Sequence, residues 1–239
     1  MDANTDPHSF AAFASHRWAQ LNTRDFAALD PARTVAVLPL GATEQHGPHL
    51  PLSVDTAKPE VMRVVLDMGV DIIIDIWALR QAGALDVVSQ HAGCGVCLMH
   101  MHRDPQTMFE QPMKGDALLE VKDFLFQRLQ VLLEEGVDPS RIVLDPGVGF
   151  GKTLDQNLSL LTRQAELLSL GRPLLAGWSR KGTLGKLTAV HGVVPEPQNR
   201  VGASVGAALM AVQNGASLVR VHDVLETVQA LRFWQATKA

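Results

Sequence analysis

Short apolar runs alternate with longer amphipathic segments along most of this 239-residue chain. Apolar runs bounded by Gly, Pro or Asp are typical of buried strands, whereas apolar residues three and four positions apart predict helices. The predicted strands are 34–40, 70–74, 95–99, 142–144, 173–176 and 217–221. The predicted helices are 18–29, 58–67, 84–89, 116–135, 157–170, a segment from 182, 199–214 and 224–235. This alternation, regular from Asp55 onward, implies parallel strands with right-handed crossovers and favours a (β/α) barrel over an open sheet.

The composition excludes several classes of protein. A hydrophobic content of 46% and a charged content of 19% are typical of a globular protein. The net charge is -4 without a long basic run, so we expect neither nucleic-acid nor membrane-surface binding. The polar, acidic segment 1–8 does not have the pattern of a signal peptide, which predicts a cytoplasmic protein. The uncharged stretch 201–219 is interrupted by Gln213, Asn214 and Gly215, which favours a buried helix followed by a strand over a membrane span.

Cys94 and Cys97 have the C-x-x-C spacing of some redox and metal sites. No second cysteine pair completes a zinc site, and no helix-cap pattern follows them. They lie at the predicted strand 95–99. We therefore expect buried free thiols, as in a reducing cytoplasm.

Polar residues follow the predicted strands directly. In (β/α) barrels the catalytic groups lie at the carboxyl ends of the strands, where the loops begin. The sequence therefore predicts one functional site at that face of the barrel. The residues concerned are Asp55, Asp75, the Met99–Met101 segment, Asp145, Ser179, Arg180, Lys181, Arg220, His222 and Asp223.

The glycine-rich segment from Asp145 to Thr153 fails the spacing of both the nucleotide P-loop and the G-x-G-x-x-G fingerprint. A tight turn alone is one interpretation. The other is a loop that closes over a flat ligand with Phe150 while Asp145 points into the barrel mouth. Arg220 and His222 alternate along a strand end and so share one side, where they could hold an anion. A purely structural histidine is the alternative for His222.

Five ordered motifs carry a family resemblance over residues 53–239. They are S-V-D-T-x-K-P-E from Ser53, C-L-M-H-M from Cys97, I-V-L-D-P-G-x-G-F-G-K from Ile142, G-W-S-R-K from Gly177 and V-R-V-H-D from Val219. Together they resemble the dihydropteroate synthase family. The resemblance implies a TIM-type (β/α)8 barrel and a transferase of folate biosynthesis. Such enzymes join p-aminobenzoate to 6-hydroxymethyl-dihydropterin pyrophosphate, release Mg²⁺-bound pyrophosphate, bind sulfonamides and usually form homodimers.

The same resemblance implies roles for individual residues. Asp55 and Asp145 would bind the pterin edge, and Lys181 would reach the pterin carbonyl, which makes these three the implied catalytic residues. Arg220 would lie against the pterin ring and, with His222, hold the pyrophosphate. The implied substrate-binding residues are Asp55, Met99, Asp145, Phe150, Ser179, Lys181, Arg220 and His222.

Two departures from the family pattern affect the expected activity. Ile74 occupies the position of an asparagine that contacts the pterin in the family. The family's Asn-Val-Thr-Pro-Asp-Ser-Phe and Glu-Ser-Thr-Arg-Pro loops, which serve aminobenzoate and metal, do not occur in the sequence. We therefore expect a barrel that is incomplete or distorted at its N-terminal strands. We also expect pterin binding to persist while turnover is impaired.

A second resemblance covers residues 15–55. The segment from Gly41 to Asp55 is similar to the first ligand segment of creatininase-family amidohydrolases, which implies Glu44, His46 and Asp55 as ligands for Zn²⁺ or Mn²⁺. That family's further ligands are not found downstream, and a solvated loop is the alternative. The sequence thus reads as a chimera of a creatininase-like segment (1–52) and a pterin-binding barrel (53–239). A non-catalytic pterin- or anion-binding remnant and a metal-dependent amidohydrolase remain the alternatives to the transferase.

Overall fold

The computed structural model describes residues 36–39 and 53–237. In this part of the chain, parallel strands alternate with helices as the sequence predicts. The strands are β1 (Ala36–Pro39), β2 (Ser53–Asp55), β3 (Ile72–Asp75), β4 (Gly95–Met99), β5 (Ile142–Asp145), β6 (Leu175–Ala176) and β7 (Leu218–Val221). The α-helices are α1 (Pro59–Asp67), α2 (Ala84–Gln90), α3 (Ala117–Glu134), α4 (Leu154–Thr162), α5 (Gly182–Leu187), α6 (Val201–Gln213) and α7 (Val224–Ala236). Short 3₁₀ helices are Pro139–Arg141, Gln164–Leu170 and Pro197–Asn199.

The strands follow one another in space in nearly the order of the chain. One sheet has the order β2-β3-β4-β5 and the other has the order β1-β7-β6, with every pair parallel. A parallel bridge between Leu144 and Leu174 joins the two sheets beside β5 and β6. This sequential order is that of a (β/α) barrel. Residues 40–52, between β1 and β2, lie outside the described part, so the expected gap at this point stays a prediction.

The longest helix, α3, shows why these elements form. Asp116 caps its first turn by accepting from the N–H of Leu118, and Gly136 adopts a φ of 77° just beyond its last turn. Its buried residues recur at helical spacing and pack against β4 and α4. They are Ala117, Leu118, Val121, Leu125, Leu129 and Leu132.

The helix predicted over 157–170 is wrong in its bounds. The structure has α4 up to Thr162 and then the 3₁₀ helix Gln164–Leu170. Thr153 and Gln156 form a capping box, which starts the helix three residues earlier than predicted. Gln164 is buried and donates to the carbonyl oxygen of Ala211, a tertiary contact next to the break that no local pattern encodes. The helix predicted over 18–29 lies outside the described residues.

The two cysteines are buried and free, as predicted. The thiol of Cys94 donates to the carbonyl oxygen of Gly95. Burial raises the pKa of both thiols, which keeps them protonated and unreactive. Within residues 36–39 and 53–237, no helix is long and apolar enough to cross a membrane.

Candidate functional site

The carboxyl ends of the strands bring the predicted charged residues together. Arg220, on β7, donates from Nη2 to Oδ2 of Asp55, at the end of β2, over 3.1 Å. Lys181 and Arg220 both act electrostatically on Asp145, at the end of β5. The four residues therefore face one another across the barrel mouth, as the parallel topology predicts.

Asp145 is the buried anion of this group. Only 5% of the residue is exposed, and its Oδ1 accepts from the N–H of Gly147 over 2.7 Å. Burial raises the pKa of this carboxyl, while Lys181, the N–H of Gly147 and Arg220 act in the opposite direction. A carboxylate held in a dry pocket by opposite charges can stabilise a cation that forms nearby.

The loop after Asp145 takes its shape from glycines. Gly147, Gly149 and Gly151 have φ values of 65°, 83° and 73°, in the left-handed region where a side chain is strained. A Cβ on Gly147 would also collide with the carbonyl oxygen of His100. The glycines therefore let the loop fold back tightly against the end of β4.

Lys181 bridges this loop and the anionic group. Its Nζ donates to the carbonyl oxygen of Val148 and lies 4.9 Å from the ring centroid of Phe150, a cation–π contact. Burial lowers the pKa of Lys181 to about 8, although the attraction of Asp145 raises it. The amine is consequently a cation at neutral pH that sheds its proton far more readily than an exposed lysine.

Ser179 and His222 form a second polar pair at the same face. The hydroxyl of Ser179 lies 2.9 Å from Nδ1 of His222 and accepts from the backbone N–H of His222 over 3.1 Å. The Ser179 hydroxyl therefore contacts both the ring and the backbone of His222. His222 is exposed, so its ring can contact a bound anion.

An ion pair holds the segment that carries Ser179 and Lys181. Arg180 has a φ of 59°, and its Nη2 donates to Oδ1 of Asp223 over 2.6 Å. Arg200 donates to the carbonyl oxygen of Arg180 over 2.7 Å. The ion pair ties the loop after β6 to the residues after β7.

Met99 and Ile74 supply apolar surface beside the charged residues. Met99 is buried and pairs in register with Asp145. Ile74 is 2% exposed, pairs in register with Asp55 and packs with Cys97. The position of the family's asparagine is thus an apolar wall of the site.

Asp75 is positioned differently from the other strand-end carboxylates. Its Oδ1 and Oδ2 accept from the N–H groups of Trp77 and Leu79, each over 2.8 Å. Both oxygens are therefore used to hold the turn after β3, where Ala78 and Leu79 have positive φ. Asp75 has a structural function here.

Sequence reasoning missed two buried polar residues that support the glycine-rich loop. Lys152 is 8% exposed and Asn157 is 1% exposed. Lys152 lies inside the glycine-rich motif. Its burial is what distinguishes it from other lysines, and burial cannot be read from the sequence. Asn157 has no sequence signal beyond its position in the second turn of α4.

Two of the three predicted metal ligands, Glu44 and His46, lie outside the described residues. The third, Asp55, is paired with Arg220. Among the described residues, no group of three His, Cys, Asp or Glu side chains could hold a metal ion. The metal site and the proposed boundary between residues 52 and 53 stay predictions.

Comparisons with known proteins match most of this chain to one family. The family model described as "Pterin binding enzyme" matches residues 30–222. The dihydropteroate synthase of Escherichia coli strain K12 is 42% identical over 186 residues, which cover 78% of this chain and 64% of that protein. The chain thus spans less than two thirds of the length of that relative.

Solved structures extend the similarity to the fold. The dihydropteroate synthase of Stenotrophomonas maltophilia superposes with a TM-score of 0.76 and 48% identity, over 80% of this chain and 70% of that one. The Xanthomonas albilineans enzyme, solved with 7,8-dihydropteroate, gives a TM-score of 0.72 and 46% identity, over the same shares. The family match covers well over half of the sequence, and the chain belongs to the pterin binding enzyme family.

Proposed function

We propose that this chain is a dihydropteroate synthase, a transferase of folate biosynthesis. It would join p-aminobenzoate to 6-hydroxymethyl-dihydropterin pyrophosphate and release pyrophosphate. The observation that carries the proposal is the buried Asp145, placed between Lys181 and Arg220 beneath the glycine-rich loop. The relative solved with 7,8-dihydropteroate holds the compound that this reaction would form.

The carboxylates fit the pterin half of the reaction. Loss of pyrophosphate breaks the methylene C–O bond and leaves a cationic pterin methylene, which the amine of p-aminobenzoate attacks before it loses a proton. Asp145 and Asp55 accept from the N–H groups of the pterin edge and favour the developing cation electrostatically. Lys181 turns from the Val148 carbonyl to the pterin carbonyl. Met99 and Phe150 line the flat ring.

The positively charged and polar residues at the end of β7 fit the pyrophosphate group of the substrate. Arg220, on β7, and His222, directly after this strand, would bind pyrophosphate, with Arg220 forming charge-assisted bonds to it. Arg220 is paired with Asp55 in the structure. Substrate binding therefore exchanges one partner of Arg220 for another. Ser179 lines the aminobenzoate side and orients His222.

The family resemblance also implies Mg²⁺ on the pyrophosphate. The described residues do not form a metal site of their own. The buried free thiols favour a location in the cytoplasm, and the family resemblance implies a homodimer. Sedimentation of the purified chain tests the dimer.

Calorimetric titration with 6-hydroxymethyl-dihydropterin pyrophosphate, followed by an assay of dihydropteroate formation, tests the function. We expect the pterin to bind. Positioning two reactants accounts for roughly 7–11 kcal/mol of such barriers. We expect the missing loops to cost about a third of this, so turnover should be ~50-fold to several-hundred-fold slower than in a dihydropteroate synthase that has the family's two loops. Sulfonamides should bind poorly for the same reason.

The outcomes separate the three functions. Near-normal turnover with sulfonamide inhibition would show that other residues replace the two loops. Pterin binding without any product would favour the non-catalytic remnant. Absence of pterin binding, together with amide hydrolysis that requires Zn²⁺ or Mn²⁺, would favour the amidohydrolase built on Glu44, His46 and Asp55.

A further inference from the structure

The side chain of Lys152, near the end of the glycine-rich loop, is buried and folds back beneath that loop. The Nζ of Lys152 donates to the carbonyl oxygens of Gly147 over 2.8 Å and Phe150 over 3.3 Å, and it lies 2.9 Å from Nδ1 of His100. Burial lowers the pKa of His100 to about 2, so its imidazole is neutral and Nδ1 accepts from the lysine. One amine thus links two points of the loop to the end of β4.

This amine is costly to bury. The bonds that it makes are to carbonyl oxygens and a neutral ring. Burial lowers the pKa of Lys152 to about 7, against the attraction of Asp145. An apolar side chain would fill the same space without this desolvation cost. The directed bonds to the loop are therefore the feature that an apolar residue could not replace.

Asn157, on α4, supports the same loop from a second direction. Its Oδ1 accepts from the N–H of Gly149 over 2.7 Å, and its Nδ2 donates to the carbonyl oxygens of Lys152 over 3.2 Å and Thr153 over 2.8 Å. Together with the bond from Gly147 to Asp145, these contacts hold the inner backbone groups of the loop. The carbonyl of Val148 is left to receive Lys181 on the outer side.

We propose that Lys152 and Asn157 are positioning residues, which hold the glycine-rich loop so that the Val148 carbonyl and the Phe150 ring fix Lys181. Neither residue touches the reacting atoms. Their effect on catalysis rests on the proposed function, whereas their effect on Lys181 does not. The glycine-rich loop would therefore hold Lys181 in place, in addition to covering a flat ligand.

The test that is independent of activity follows Lys181 by NMR. In a sample labelled at lysine Cε, Lys181→Arg identifies the Lys181 signal by its loss. We expect Lys152→Met to move the Lys181 titration from about 8 toward 10.5, the value of an unperturbed lysine, because the released loop lets the amine reach water. Asn157→Ala should cause a smaller shift in the same direction. Lys114→Met removes an exposed lysine and is the matched control.

Activity gives the second measurement. Lys152→Met should lower kcat for dihydropteroate formation on the order of 100-fold, the loss expected from a displacement of about 1 Å in an active site. KM for p-aminobenzoate should change much less. If the unsubstituted chain has no transferase activity, the proposed function fails, while the NMR titration still decides whether Lys152 positions Lys181.

Amide hydrogen exchange of the unsubstituted chain gives a third test, which does not depend on whether a variant folds. The amide of Gly149 should exchange slowly, because Asn157 accepts its proton. Rapid exchange at Gly149 would overturn the proposal. It would equally be overturned by a folded Lys152→Met variant whose Lys181 titration matches that of the Lys114→Met control.

Discussion

Arg220 and Asp55 form an ion pair across 165 positions of sequence, with 3.1 Å between Nη2 and Oδ2. The pair joins β7 in one sheet to β2 in the other. The side chains are 24% and 40% exposed. The cation that we assign to the substrate anion is therefore partnered by a carboxylate that we assign to the pterin.

Asp55→Asn should consequently have opposite effects on two ligands. Inorganic pyrophosphate should bind more tightly, because Arg220 is released, and a pterin without phosphate should bind more weakly. The free energy of unfolding should change by only ~0.2–1 kcal/mol, as for other partly exposed ion pairs. Calorimetry with each ligand and urea unfolding measure the three quantities. Equal loss of both ligands would contradict the assigned exchange of partners.

Asp145→Asn should nearly abolish pterin binding. The amide cannot supply the negative charge, and hydrogen bonds to charged groups contribute roughly 1.5–3 kcal/mol, or about 10- to 150-fold in affinity. Asp155→Asn, an exposed carboxylate on α4, is the control. Calorimetric affinities of the two variants that agree within twofold would remove Asp145 from the site.

Stability should rise with pH between about 7 and about 10.5. The pKa values of Lys152 and Lys181 are lowered by burial to about 7 and about 8, whereas an unperturbed lysine titrates at 10.5. Below about pH 7 both folded-state amines are charged and the desolvation cost is fully present. Between the folded and unfolded pKa values the unfolded chain binds more protons, so the free energy of unfolding increases with pH.

Urea unfolding at several pH values measures this slope. Lys152→Met should reduce it, since one of the two buried amines is then absent, and the exposed Lys114→Met should leave it unchanged. A slope that is the same in all three proteins would show that burial does not lower the pKa of Lys152.

Ile74→Asn should lower the free energy of unfolding and raise the affinity for the pterin. The amide would be buried among apolar side chains in the ligand-free chain, at a cost of about 1–3 kcal/mol. It would regain a hydrogen bond to the pterin and raise affinity roughly 5- to 150-fold. Ile73→Asn is the matched control, because adjacent residues of a strand face opposite sides and Ile73 belongs to the core beneath the helices. An equal affinity in both variants would contradict the assignment of Ile74 to the site wall.

The sequence alone determined the alternation of strands and helices and the residues that follow each strand. Parallel strands end at one edge, so Asp55, Asp145, Lys181 and Arg220 could be assigned to a common face from their positions after apolar runs. Hydrophobic periodicity and the ends of strands are local properties. The apolar run that predicts each strand lies within a few residues of the site residue that follows it.

Only the tertiary structure decided which groups meet. The contact of Arg220 with Asp55, the burial of Lys152 against His100 and the bond from Gly149 to Asn157 depend on side chains far apart in sequence or on separate elements. Hydrogen bonds act only over about 3 Å, and the pKa shifts arise from burial. Neither separation in space nor exclusion of water is encoded in a local pattern of hydrophobic and polar residues, so these relationships emerged only when the strands were assembled.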